Sequence, residues 1–332
     1  MSIRDFVSRL NLVPSRVETL ERSVRSLEAT VSALEARLEE QAARRDGALE
    51  ALGAKLDVLA ASARRPEVLV SNDQDIVILA DGYYFLFPAT QLNHAISYLH
   101  PDFDIGMRRF VAGHVRPGVH YVDVGTNVGT LAAIAARGIG PTGRIVTVEP
   151  IPELAHNIRR SLFLNGGGTP AEHHVCCAGG VGATGTVEFD VYEFDSRVST
   201  QHSYSDRRDA DRFRKIKVEV RPIASLIPPG DNDLVIKLDA EGAEPQLLAA
   251  LLTPGGPLAG RDTVLAFEYA REHCERVGED PAALVALLRA HGLSGFYIDA
   301  YSGQPTTPFG EDSLDVAGNI VVRIARDHAS LA

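Results

Sequence analysis

His120-Tyr121-Val122-Asp123-Val124-Gly125-Thr126-Asn127-Val128-Gly129-Thr130 reads as a short buried strand that stops at a glycine turn and passes into a helix over Leu131–Ala136. Gly125 and Gly129 carry no side chain, so a ligand can approach the main chain on either side of Thr126 and Asn127. The helix that follows points its N-terminal N–H groups toward that ligand, an arrangement suited to a carboxylate or phosphate. Asp123, at the end of the strand, can accept a hydrogen bond from a ligand amine. The glycine pattern is G-x-N-x-G; the dinucleotide fingerprint G-x-G-x-x-G is absent.

Downstream, Arg144-Ile145-Val146-Thr147-Val148 is a second β-rich strand, and Glu149 ends it. An acidic side chain at the tip of the second strand of a βαβ unit is placed to hold both hydroxyls of a ribose. Leu154, Ile158 and Leu162 then mark one face of a helix that Asn165-Gly166 stops. A glycine turn followed by a ribose-binding carboxylate points to a nucleoside cofactor. A carboxylate-accepting helix end without a full phosphate loop favours S-adenosylmethionine over NAD.

From about Asp104 to Ile324 the chain resembles the FkbM-type family of S-adenosylmethionine-dependent methyltransferases. The matching segments are YVDVGTNVGTLAAIAA, GPTGRIVTVEPIPE, NIRRSLFLNG, VIKLDAEGAEPQLLAAL, LAFEY and GNIVVRI, in the family's order over about two thirds of the chain. The first is shared by many class I methyltransferases, whereas the K-x-D-x-E-G-A-E segment is far more specific. Thr126 stands where the family usually has Ala, and Ile151 where Asn is common after Glu-Pro. The resemblance implies an α/β fold with a Rossmann-like, mostly parallel sheet whose last strand is antiparallel. It implies an O-methyltransferase acting on a hydroxyl of a sugar, glycan or polyketide-type natural product. Asp123, Gly125, Thr126, Asn127, Gly129, Glu149, Cys177 and Asp239 become the expected S-adenosylmethionine contacts.

The rest of the chain bounds this reading. Its 332 residues suffice for one full α/β domain with additions. No apolar run approaches the roughly 20 residues of a membrane span, and no signal-peptide core opens the sequence. Three cysteines, two of them adjacent, cannot build a disulfide framework, which favours a reducing cytoplasm. A net charge of −11 argues against nucleic acid as partner.

Val17, Leu20, Val24, Leu27, Val31, Leu34 and Leu38 recur at alternating steps of three and four, a heptad seam with Val at a and Leu at d that favours a parallel dimer. Leu49, Leu52, Leu56 and Leu59 resume it after a step of eleven, which a coiled coil absorbs as a stutter. Residues 1–65 therefore read as a coiled-coil segment making a homodimer through residues 17–59, and Pro66 ends it. An amphipathic helix packed on its own domain is the other reading. Residues 66–104 read as a linker with a hairpin about Asp81-Gly82, and residues 105–332 as the methyltransferase domain. Within it, strands near Val175, over Val187–Val191 and over Ile216–Val220 precede those at Asp233–Leu238 and Thr263–Phe267. Asp280-Pro281 opens a further helix that Gly292 closes. Gly295–Ile298 and Asn319–Ile324 are the final strands, joined by a loop with no helical pattern, so an antiparallel partner is the simpler expectation.

Asp239 should face the methyl donor and the incoming hydroxyl, because ligands bind outside the carboxyl ends of parallel strands at a topological switch. A carboxylate in hydrogen-bond reach can take the proton the hydroxyl loses. The same side chain could instead cap the next helix or pair with Lys237. Glu241 and His202 are further catalytic candidates, His202 in the polar segment Asp195–Arg214, which reads as a substrate lid or as a surface loop. Asp239, Glu241 and Glu268 could together hold Mg²⁺ through oxygen ligands, but acids stabilised by the dipole of a helix N-terminus are the favoured explanation, and no metal is expected. In His173-His174-Val175-Cys176-Cys177 neighbouring side chains alternate faces, which disfavours zinc; Cys177 is expected at the adenine pocket. Two other classes compete. A nucleotide-cofactor oxidoreductase is disfavoured by the glycine turn and the reversed last strand. A coiled-coil scaffold with a vestigial methyltransferase domain is disfavoured by the intact Asp123, Glu149 and Asp239.

Overall fold

The computed structural model describes residues 66–71, 74–192, 196 and 213–328. The heptad seam over residues 17–59 and His202 lie outside these residues. Three antiparallel strands come first, β1 (Glu67–Ser71), β2 (Asp75–Ala80) and β3 (Tyr83–Pro88). Asp81 and Gly82 turn the chain between β2 and β3 with φ of 52° and 80°, the pair of positive values that a tight primed hairpin turn demands. Two helices follow, α1 (Leu92–Ser97) and α2 (Ile105–His114). Residues 66–104 thus hold a third strand and a helix besides the expected hairpin. Phe85, Phe87 and Tyr98 of this segment are fully buried in one core with Val128, Ala132 and Ile158.

The central unit alternates strand and helix: β4 (His120–Val124), α3 (Thr130–Ile139), β5 (Arg144–Val148), α4 (Ala155–Gly166) and β6 (Ala171–His174). The chain then leaves the sheet for β7 (Cys177–Gly179), β8 (Gly185–Tyr192) and β9 (Phe213–Pro222), which form a sheet of their own in the order β7-β9-β8. In it β7 runs parallel and β8 antiparallel to β9. The main sheet resumes with β10 (Leu234–Leu238), α5 (Glu244–Leu251), β11 (Thr263–Tyr269), α6 (Arg271–Arg276) and α7 (Pro281–Ala290). The Asp280 carboxylate accepts the Ala282 N–H at 2.9 Å, an N-cap ahead of a first-turn proline. The last elements are β12 (Gly295–Ile298), β13 (Pro305–Phe309) and β14 (Gly318–Ile324).

Eight strands make the main sheet in the order β13-β12-β14-β11-β10-β4-β5-β6. β6, β5, β4, β10 and β11 are parallel. β14 runs antiparallel to both of its neighbours, β11 and β12, and is inserted between them. This is a Rossmann-like methyltransferase sheet with the reversed last strand that the sequence led one to expect. β13, an edge strand on β12, occupies what read as loop. Alternation along β4 sends Val122 and Val124 into the core on one face and Tyr121 into that on the other. Among the described residues no helix is long and apolar enough to cross a membrane.

Candidate active site

Chain order places the site. From β4 the chain winds outward through β5 and β6, then returns to add β10 on the opposite side of β4 and winds the other way through β11. The carboxyl ends of β4 and β10 therefore flank a topological switch, where the loops diverge and leave a crevice. A cavity of about 380 Å³ lies there. Asp123, Gly125, Thr126, Asn127, Glu149, Cys177, Lys237, Asp239, Glu241 and Glu268 line it, so eight of the expected site residues meet in one place. Gly129 is not among its lining residues. A Cβ there would come within 3.3 Å of the Ile158 Cα, so the glycine lets α4 pack close to the start of α3.

The glycine loop is braced from within. Thr126 Oγ1 donates to the Asp123 carbonyl at 2.7 Å and accepts the Val148 N–H at 3.1 Å, which ties the loop to β5. Asn127 takes a left-handed φ of 53°, and its N–H donates to Glu149 Oε2 at 2.8 Å. Ile151 N–H donates to Glu149 Oε1 at 3.0 Å. Glu149 thus holds two backbone segments, and each oxygen keeps a further lone pair for a ligand hydroxyl. Burial lifts its carboxyl to about 7, against the opposing pull of those two N–H groups. Gly125, at φ 73°, is pressed by protein rather than by open space: a Cβ would lie 1.7 Å from the Asp239 carbonyl oxygen.

Parallel register sets Lys237 opposite Asp123. Lys237 Nζ donates to the Gly125 carbonyl at 3.1 Å, pairs with Asp239 Oδ2 at 3.0 Å and lies 3.7 Å from Asp123 Oδ1. Burial alone would lower its pKa, but the carboxylates of Asp239 and Asp123 outweigh that and hold it above the usual lysine range. Asp123 is 1% exposed, and its Oδ1 has no hydrogen-bond partner among the described residues. Burial pushes its carboxyl up while Lys237 pulls it down. Asp239 is 38% exposed and reaches into the cavity. The cap at the following turn is not Asp239 but Glu244, whose oxygens accept the Ala240 and Gly242 N–H groups at 2.5 and 2.9 Å.

Glu241 and Glu268 complete the acidic rim. Burial, reinforced by the Asp239 charge, raises Glu241 to about 8. The Asp239 charge, followed by burial, raises Glu268 to about 9. One oxygen from each of Asp239, Glu241 and Glu268 lies within 4.8 Å of the others, close enough to share a cation, although exposed acids cluster this way without one. His273 backs them, 3.6 Å from Glu241 Oε2 and 3.9 Å from Glu268 Oε2. Residues 66–104 supply a further wall through His94, Tyr98, Phe103 and Asp104. Tyr98 donates its hydroxyl to Thr130 Oγ1 at 2.7 Å, joining that wall to the first turn of α3. Ser196 Oγ donates to Asn127 Oδ1 at 2.7 Å. His173 and His174 lie on β6 in the main sheet and Cys177 on β7 in the second sheet; Cys177 alone of the three lines the cavity.

The sequence reading passed over Lys237 as a member of the site, and over Asp104 and Asn319 altogether. For Lys237 the signal was present: matching the ends of two parallel strands pairs it with Asp123. Asn319 pairs with Glu268 across β11 and β14, a register visible only once the reversed strand is placed. Asp104 carries no local signal.

Several known proteins resemble parts of this chain. Protein-L-isoaspartate O-methyltransferases from Triticum aestivum and Methanopyrus kandleri are 44% and 45% identical to it over 52 and 51 residues. These segments are 14% and 15% of this chain, and the chain spans about a quarter (23%) of the length of each relative. Among solved structures, Pyrococcus horikoshii TYW2 in complex with MeSAdo aligns over 77% of this chain and 73% of its own, with 11% identity and a TM-score of 0.38. The O-methyltransferase TomG from Streptomyces achromogenes, in complex with SAM, aligns over 71% and 87%, with 15% identity and a TM-score of 0.36. The family model described as Vibrio cholerae RfbT protein matches residues 51–325, most of the chain and the whole of the sheet and cavity, and the chain belongs to that family.

Proposed function

We propose that this protein is an S-adenosylmethionine-dependent O-methyltransferase of FkbM type. The observation that carries the reading is the meeting of Asp123, Gly125 and Glu149 with Asp239 around one cavity at the switch point. The fit to the cofactor rests on chemistry present in the chain. Asp123 Oδ1, which has no hydrogen bond among the described residues, is an acceptor for an ammonium, and Glu149 keeps acceptor capacity for a ribose diol. Cys177, Val148 and Pro150 line the same cavity beside Glu149, as an adenine ring requires. When bound, S-adenosylmethionine supplies an electrophilic methyl group on a sulfonium. Asp239, held by Lys237, accepts the proton of the attacking hydroxyl. Glu241, with its carboxyl raised to about 8, is the second catalytic candidate and can donate a hydrogen bond to the acceptor when protonated.

The acceptor in this reading is a hydroxyl on a sugar, glycan or polyketide-type product, reached from the rim formed by Glu241 and Glu268. His202 stands as a third catalytic candidate and lies outside the described residues. Residues 17–59 would pair two copies of the chain. The reading is tested by calorimetric titration with S-adenosylmethionine and S-adenosylhomocysteine, then by transfer of a labelled methyl group to candidate hydroxyl acceptors. Saturable one-site binding is expected. A protein that binds neither compound is not a methyltransferase of this kind.

A further inference from the structure

Asp104 stands where an aspartate ordinarily caps a helix, one residue before α2. An N-cap carboxylate accepts an N–H from the first turn, but Asp104 makes no such bond. Its backbone adopts a left-handed φ of 52°, uncommon outside glycine though tolerated by aspartate. Its carboxylate has no hydrogen bond or ion pair among the described residues, and Asp104 lines the cavity. Arg108, one turn along α2, does not neutralise it: that guanidinium pairs with Asp81 at 2.7 Å and donates to the Pro101 carbonyl at 2.6 Å. The same cavity is lined by Asp123, whose Oδ1 has no hydrogen bond among the described residues, and by Lys237, already shared among Asp239, the Gly125 carbonyl and, at 3.7 Å, Asp123.

Two carboxylates lining one cavity, Asp104 with no hydrogen bond and Asp123 with an Oδ1 that has none, call for a ligand that brings a cation with several N–H groups. We propose that Asp104 binds the α-ammonium of the methyl donor's amino-acid end, together with Asp123. An ammonium has three donors in a tetrahedral spread, so it can serve two carboxylates at once. The inference rests on the methyltransferase reading, which identifies the ligand. The charge balance agrees with it. Burial lifts the Asp104 carboxyl to about 6; Lys237 and Arg108 pull it down, and Asp239 and Asp123 push it up. An added cation would favour the ionised form of Asp104. Asp104 belongs to the wall built by residues 66–104, so this contact would make that wall part of the cofactor site.

The test separates the amino-acid end from the nucleoside. Full-length wild type, Asp104→Asn and Asp104→Ala are titrated calorimetrically with S-adenosylhomocysteine and with 5′-methylthioadenosine, which lacks the amino-acid end. Both variants are expected to bind S-adenosylhomocysteine about 10–100-fold more weakly, the range for hydrogen bonds to a charged group. Their affinity for 5′-methylthioadenosine should change less than about twofold. Equal losses for both compounds would make Asp104 a structural residue, and no loss for either would remove it from the site; each outcome overturns the inference while the methyltransferase reading stands. Wild type that binds neither compound overturns both. Thermal melts of the near-isosteric Asn variant show whether any loss comes from unfolding.

Discussion

At the scale of single residues the site is a chain of charges held together by Lys237. Among the described residues Asp239 has one charged partner, Lys237 at 3.0 Å, and the turn beside it is capped independently by Glu244. Replacing the Asp239 carboxylate should thus remove a proton acceptor without opening the helix end. Asp239→Asn is expected to slow methyl transfer by about 10²–10⁴. Cofactor affinity should fall far less, because Asp123 and Glu149 remain. Binding and single-turnover rate measured on the same variant decide the matter: full activity would move the base to Glu241 or His202, and a joint collapse of rate and affinity would make Asp239 a cofactor anchor. Gly125 shows where reading residues one at a time stopped. Its identity as a critical glycine was visible in the sequence, but the atom that forbids a side chain is the Asp239 carbonyl, more than a hundred residues away. A Gly125 substitution consequently tests the fold as much as ligand approach.

Elements carry the next level of cause. β3 is joined to α4 by Asn165, the residue that read as a helix stop. Its Oδ1 accepts the Tyr84 N–H at 2.9 Å, and its Nδ2 donates to the Tyr84 and Ser161 carbonyls at 2.7 and 2.8 Å. This amide takes the place of a neighbouring strand for one residue of β3. Asn165→Ala leaves the Tyr84 groups unpaired at a buried joint and should cost about 2–4 kcal/mol, from lost bonds and unsatisfied donors and acceptors. Urea denaturation should show the loss as a lower midpoint at unchanged slope. An Ala variant as stable as wild type would mean water replaces the amide. Strands with strong β patterns and glycine stops, β4, β5 and β10, were legible because burial and turn chemistry are local properties. β8 and β9 were legible as strands over Val187–Val191 and Ile216–Val220, but their pairing in a sheet of their own was not, and neither β1 nor β13 was legible, because these depend on partners distant in sequence. β1 illustrates this: Val68, Leu69 and Val70 are all about half exposed, so no period of two marks a face, and only pairing with β2 makes the segment a strand.

Over the whole molecule, the heptad seam and the acidic cavity make separate predictions. A chain beginning at Pro66 should sediment as a monomer and keep its affinity for S-adenosylmethionine, while the full chain sediments as a dimer; a full-length monomer at micromolar concentration would defeat the pairing of residues 17–59. The cavity predicts how stability depends on pH. Asp104, Glu149, Glu241 and Glu268 are raised to about 6, 7, 8 and 9, the first three chiefly by burial and Glu268 chiefly by the Asp239 charge. In the unfolded chain the same groups ionise near 4. The folded state therefore holds more protons between about pH 4 and pH 9, and the stability these groups contribute is lost as pH rises through their folded values. Glu268, about a third exposed, is screened by solvent and contributes least. Ligand-free protein should melt several degrees lower at pH 8.5 than at pH 5.5, about 2–4 °C for each kcal/mol lost. A sulfonium and an ammonium entering the cavity favour the ionised carboxylates, so binding S-adenosylmethionine at pH 7.5 should release protons. S-adenosylhomocysteine, which lacks the sulfonium charge, should release fewer. Calorimetry in buffers of different ionisation enthalpy counts those protons directly. A melting temperature that is flat or rises with pH, together with no proton release, would mean that these carboxyls are already ionised in the ligand-free cavity and that cofactor charge is not what balances them.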